Sequence, residues 1–267
     1  MDASNWQKQA ADTPLFPDLL WSRPEQKSQA GKLLIIGGNA HGFVAPAEAF
    51  TAAEAAGIGS VRMLLPDSLR TFVGKVFEAG ELLPSTPSGS FAKTALAEII
   101  AHAAWADGVL LAGDLGRNSE TAIVLEQCLE KYHGQLTITQ DALDYFVANP
   151  TKLLDRPDTL LVASFGQIQK IASAAHFIPA LTFDMDLVRL VEALQAFSAK
   201  HAAALIVKHL DQMIMASNGQ VSTTKLANDL EVWRVRTAAA AATWWLQNPG
   251  RAFEALTTSL VTPDVTN

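Results

Sequence analysis

The chain has 267 residues, of which 49% are hydrophobic and 18% charged. That is enough apolar material for a real core and excludes disorder for most of the length. Lys and Arg total 20 against 27 Asp and Glu, a formal net charge of −7. With no basic run, the chain is a poor candidate for nucleic-acid binding, which needs clustered cations against phosphate. The single cysteine, Cys128, excludes an internal disulfide, a zinc ribbon and a CxxC redox pair; it reads as a small buried hydrophobe.

The opening residues Met1 to Asn5 carry no basic and apolar leader pattern, so no signal peptide is expected. The uncharged stretch Thr237 to Gly250 is broken by Gln247, Asn248 and Pro249 and falls short of the ~20 apolar residues of a membrane span. The expectation is a cytoplasmic protein with no membrane partner.

Residues 1–30 are polar and dotted with Pro14, Pro17 and Pro24. They read as an N-terminal arm with at most one short helix, ahead of a single α/β domain over 31–267. Lys32 to Ile36 is an apolar run closed by Gly37-Gly38, the pattern of a buried parallel strand. Pro46 to Ala56 reads as a helix with proline in its first turn. Ser60 to Leu65 is a second strand, Phe91 to Ala104 a helix and Gly108 to Ala112 a third strand. Glu120 to Tyr132 is a helix capped by Asn118 or Ser119, Leu136 to Thr139 a fourth strand, and Asp141 to Phe146 a short helix.

Thr159 to Ala163 is a fifth strand, followed by a helix over Gly166 to Ala175. Asp186 to Ala203 is periodic and helical, with Thr182, Asp184 and Asp186 as candidate caps. Ala204 to Lys208 is a sixth strand. Met213 to Ala216 and Gln220 to Thr223 flank Asn218-Gly219, a hairpin signal. Leu230 to Gln247 is an Ala-rich helix, and Arg251 to Leu260 closes the chain as another. Strands alternating with helices predict a mostly parallel sheet in an α/β layered fold. Ligands in such sheets bind at the carboxyl ends of the strands.

Two glycine loops stand at such ends. Gly37-Gly38-Asn39-Ala40-His41-Gly42 fits neither the dinucleotide nor the P-loop spacing, yet Gly38, Asn39 and His41 could approach an anion. In Gly113-Asp114-Leu115-Gly116-Arg117-Asn118, Gly116 and Arg117 are candidates for phosphate or carboxylate. Lys208 leaves a buried strand at the same edge. Arg234 and Arg236 precede five alanines and Trp244-Trp245, a pair that suits a core or a subunit interface. Two arginines near a helix start either point to solvent or meet an anion. The six histidines show no i, i+4 pair, so no metal site is expected.

These loops, in this order, resemble the NAD(P)H-hydrate dehydratase branch of the ribokinase-like superfamily, over residues 31 to about 260. The family's GPGLGR loop is similar to Ala112 to Arg117, its DADAL to Thr139 to Leu143, its TPHPGE to Val162 to Gln167, and its LKG strand end to Val207-Lys208-His209. The resemblance implies a three-layer ribokinase-like fold, with a mostly parallel central sheet flanked by helices. It implies ATP or ADP as ligand, with Mg2+ if a nucleotide binds, or a dinucleotide. It also implies a homo-oligomer, a dimer or tetramer.

The departures are as informative. Counted without gaps from Lys208, the family's asparagine falls on Asn228, and its G-G-T-G-D on Arg234-Val235-Arg236-Thr237-Ala238. The resemblance would make that final aspartate the acid/base, and here the position is Ala238. Thirteen of the 16 glycines lie at or before Gly134, so the second half holds no glycine cluster. Loss of a proton-transfer group costs ~10²–10⁴-fold in rate. Three readings stay open: a pseudoenzyme that keeps a nucleotide crevice, with Arg234 and Arg236 replacing lost N–H donors; an active lyase or small-molecule kinase using Asp114, Asp141, Asp229 or His41; and a structural, oligomeric protein.

Overall fold

A computed structural model describes residues 5–73, 80–226 and 233–261. Ten strands form one sheet in the order β1-β10-β9-β8-β7-β6-β5-β2-β3-β4. They are β1 (Trp6–Gln9), β2 (Lys32–Gly37), β3 (Ser60–Pro66), β4 (Gly80–Leu83), β5 (Gly108–Gly113), β6 (Gln135–Thr139), β7 (Thr159–Ala163), β8 (Ala204–His209), β9 (Gln212–Ser217) and β10 (Gln220–Lys225). Every neighbouring pair is parallel except the two that β9 makes, with β8 and β10. The β9–β10 turn is the predicted Asn218-Gly219, both at positive φ (50° and 74°). That is the geometry a two-residue hairpin of matching twist requires.

The helices are α1 (Asp18–Trp21), α2 (Val44–Ala55), α3 (Arg70–Val73), α4 (Leu96–Trp105), α5 (Ser119–Lys131), α6 (Thr151–Leu154), α7 (Phe165–Ala174), α8 (Leu187–Ser198), α9 (Trp233–Gln247) and α10 (Ala252–Thr258). Alternate residues of β2 feed opposite faces: Leu34 and Ile36 join the core under α4, α5, α7 and α8, while Leu33 and Ile35 join the core under α2, α9 and α10. Both faces are covered, which is why the strands read as unbroken apolar runs. The architecture is a three-layer α/β fold.

The middle of helix α9, Thr237 to Trp245, is buried on all sides. Ala238, Ala239, Ala241 and Ala242 face the sheet, while Ala240 and Trp244 face away, toward Leu19. Trp244 is wholly buried and Trp245 nearly so. The tryptophan pair is therefore core, and it offers no surface to another copy.

The first thirty residues hold more than one short helix. Strand β1 pairs with β10, and Gln9 Nε2 donates to Thr224 Oγ1 (3.0 Å) and to the Thr257 carbonyl (2.6 Å). Leu19 of α1 is wholly buried beside Trp244, and the Arg23 guanidinium lies over the Trp244 ring at 4.8 Å. The helix expected from Phe91 begins later. Phe91 itself is buried in a β-bridge with Ser85, and a 3-10 turn leads into α4. The segment after β6 is a 3-10 helix over Gln140–Tyr145 rather than α.

Candidate functional site

The carboxyl ends of β2, β5, β6, β7 and β8 meet at one edge of the sheet, facing the start of α9. On the β2–β5 side the wall is backbone. Gly38 N–H donates to the Gly113 carbonyl (3.0 Å), and the β2–β5 register slips at Gly37. A Cβ on Gly37 would lie 2.5 Å from that same carbonyl, and one on Gly113, at φ 109°, would lie 2.5 Å from Gln140 Cβ. Only glycine allows this approach.

Asn39 ties the two loops together. Its Nδ2 donates to the Asp114 carbonyl (2.6 Å) and its Oδ1 accepts from His41 N–H (2.7 Å). Asp114 has a structural duty: its carboxylate accepts the Ala45 N–H (2.7 Å) in the first turn of α2. Asn118 caps α5 by accepting from Glu120 and Thr121, as one of the two expected caps. His41 and Arg117 are exposed.

Asp141 is the half-buried acid of the crevice. Its Oδ2 accepts the Gly116 N–H (3.1 Å), while its Oδ1 is shielded from solvent with no hydrogen-bond partner among the described residues. Burial pushes its pKa above the usual carboxylate value, against the Gly116 amide, with the Asp114 charge adding to the rise. Tyr145 Oη donates to the Gly116 carbonyl (2.7 Å). Asp141, Asp144, Tyr145, Gly116, Arg117 and Lys170 line an open cleft of about 630 Å³. This size suits a small-molecule site.

On the β7–α9 side the wall is made of side chains. Ser164 and Gln167 form a capping box at the start of α7. Gln167 Nε2 donates to the Gln140 carbonyl (2.8 Å) and to Asp144 Oδ1 (2.9 Å), and its Oε1 accepts from Arg234 Nη1 (3.0 Å). Arg234 is half-buried. Burial lowers its pKa, and the carboxylates of Asp144 and Asp141 act the other way. Arg236 Nε is bonded to Glu48 of α2 at 2.5 Å. The two arginines are thus tied into the molecule rather than solvated.

The structure brings the loops that carry Gly38, Asn39, Asp114 and Gly116 together, with Asn39 bonded to Asp114 and Gly116 to Asp141, and sets Arg234 near Asp141 and Asp144. Lys208 is half-buried near the end of β8, paired across the ladder with Met213. Asn228 and Asp229 lie outside the described residues. Ala238 sits in the second turn of α9, wholly buried against the sheet. A residue there faces the core, so the ungapped count sets the G-G-T-G-D pattern on the body of a helix.

Gln167, Asp144, Tyr145 and Lys170 were not among the expected site residues. The S-x-x-Q spacing of Ser164 and Gln167 was the available signal for the first. The other three come to the cleft only through the packing of the 3-10 helix against α7. Among the described residues, no group of three or more His, Cys, Asp or Glu side chains gathers as a metal site would need. Burial pushes the Cys128 thiol up to about 12, so it is inert. No helix among the described residues is long and apolar enough to cross a membrane.

No protein-family model matches the sequence, and no curated protein matches it. Solved structures do. A ribokinase-like superfamily protein from Enterococcus faecalis V583 superposes with a TM-score of 0.69 at 15% identity, over 98% of this chain and 87% of that one. An ADP/ATP-dependent NAD(P)H-hydrate dehydratase from Bacillus subtilis, co-crystallized with ATP and Mg2+, gives 0.63 at 12% identity, over 93% and 86%. A Bacillus subtilis pyridoxal kinase in an ADP complex gives 0.54 at 11%, over 86% and 88%. The fold of this chain is the ribokinase-like fold.

Proposed function

We propose that the chain binds a nucleotide, ATP or ADP, in the carboxyl-edge crevice and does not dehydrate hydrated NAD(P)H. One observation carries this reading. From Leu226 to Asn248 the sequence contains no glycine, yet the start of α9 faces the crevice with the half-buried cation Arg234. A stretch without glycine is poorly suited to a cradle of backbone N–H groups at crowded or positive φ. A guanidinium offers charge-assisted donors to phosphate in its place. Gly38, Asn39, His41, Gly116, Arg117 and Lys208 would form the rest of the rim. Arg236 is a weaker member, since Glu48 already engages it. Mg2+ would arrive on the nucleotide phosphates. Asn228 and Asp229 precede α9 in the sequence and remain part of the reading through the sequence alone.

Calorimetric titration with ATP and ADP, with and without Mg2+, tests the binding half. Micromolar binding, weakened roughly tenfold or more in Arg234→Ala, supports it; no heat with any nucleotide ends it. Hydrated NADH assayed with either nucleotide tests the other half. Turnover would make the chain an active dehydratase.

Asp141 favours a second reading, an enzyme with altered catalytic residues. A cleft-lining carboxyl with a raised pKa and one unpartnered oxygen has the attributes of an acid/base. Turnover of any substrate that is lost in Asp141→Ala, with the fold retained, would select it.

A further inference from the structure

Three aromatic rings stand in a column on the β8 side of α7. His209, buried at the end of β8, lies against Phe165 with ring centroids 5.0 Å apart and planes tilted by 38°. Phe165, the buried first residue of α7, lies against Phe183 at 4.5 Å with planes tilted by 45°. Phe183 ends the column and is 65% exposed. The loop that carries it is held on both sides. Gln169 Nε2 donates to the Leu181 carbonyl (2.7 Å), and His209 Nε2 lies 3.2 Å from the Met185 carbonyl. The outer ring is therefore a fixed surface backed by two further rings, and its open side invites another flat group.

Two residues beyond Phe165, Gln167 receives the Arg234 guanidinium. Phe183 and Arg234 thus each contact a residue in the first turn of α7. A planar base joined through a sugar to phosphate is the ligand chemistry that satisfies both at once. We propose that Phe183 is the stacking platform for the base of a nucleotide whose phosphates meet Arg234. This rests on the nucleotide reading above. Stacking on a ring tolerates any base, so the site would favour purine over pyrimidine only by stacking area.

The test uses Phe183→Ala and Phe183→Trp, titrated with ADP, with adenosine and with tripolyphosphate, alongside light scattering. The exposed position leaves both variants folded, which thermal melts check. Phe183→Ala is expected to weaken ADP and adenosine about tenfold and to leave tripolyphosphate unchanged, while Phe183→Trp restores wild-type affinity. Equal ADP affinity in wild type and Phe183→Ala overturns the platform and leaves the nucleotide reading standing. A change of molar mass without a change of affinity also overturns it, and makes Phe183 a contact between copies. If the wild type ignores ADP, the nucleotide reading falls, and adenosine alone decides the platform: binding lost in Phe183→Ala keeps it, and no binding ends it.

Discussion

The two walls of the crevice are built by different means. On the β2–β5 side the chain closes on itself through glycine backbone, with Gly37, Gly38 and Gly113 in contact and Asn39 bonded to the Asp114 carbonyl. On the β7–α9 side Gly166 makes no such close approach, and Gln167 gathers Arg234, Asp144 and the Gln140 carbonyl through its carboxamide. A backbone wall has its shape set by φ and by the missing Cβ, so it tolerates no side chain. A side-chain wall depends on functional groups, so it can change its chemistry without a change of fold. The first wall is what a strand–glycine–helix pattern looks like in sequence; the second is open to divergence.

The largest expected effect breaks the first wall. Gly113→Ala puts a Cβ 2.5 Å from Gln140 Cβ at φ 109°, which should cost about 3 kcal/mol, read as a lower urea midpoint. Unchanged stability would mean that the two loops can part, and the contrast with the second wall would vanish. Next, Gln167→Ala removes half of the capping box and the acceptor of Arg234. A loss of about 2 kcal/mol is expected, with nucleotide affinity falling as well. If Gln167→Ala lowers stability but not affinity, the second wall is structural only.

Asp114→Ala should cost about 1 kcal/mol, the worth of a helix-start acceptor. It would show that this aspartate serves the first wall rather than chemistry. The smallest effect is a pH dependence at Asp141. Burial raises its folded pKa above the unfolded value, so the protonated form favours folding. That contribution is present at low pH and is lost as pH rises through the carboxylate range, from about 4 upward. Asp141→Asn should flatten this decline and melt slightly higher near neutral pH. A lower melting temperature there would show that the ionised carboxylate's bond to Gly116 outweighs its burial.

Much of the fold is legible in the residues. Lys32–Ile36, Gly108–Ala112, Thr159–Ala163 and Ala204–Lys208 are short apolar runs ended by loops, and each is a strand buried on both faces. Asn218-Gly219 and Asn118 are local signals with local physics, a turn at positive φ and a helix cap. The edge strands β1 and β4 were not legible. Trp6–Gln9 is polar, and nothing in those four residues says that β10, more than 200 positions away, will receive them. The candidate site divides in the same way. The glycine loops announced themselves, whereas Asp144, Tyr145 and Lys170 sit in stretches without a motif. The ungapped count reached Ala238, whose place in the packed face of α9 against the sheet is set by tertiary structure and not by spacing along the chain.

The sequence by itself determined the alternation of strands and helices, the tight turns, and the absence of glycine before α9, because each depends on a few adjacent residues and their backbone freedom. Only the tertiary structure decided which strand lies beside which, that Arg236 meets Glu48 across 188 positions, that Arg234 meets Gln167, and that the rings of His209, Phe165 and Phe183 pack in series. Those contacts follow from burying two faces of one sheet at once, and no local preference encodes them.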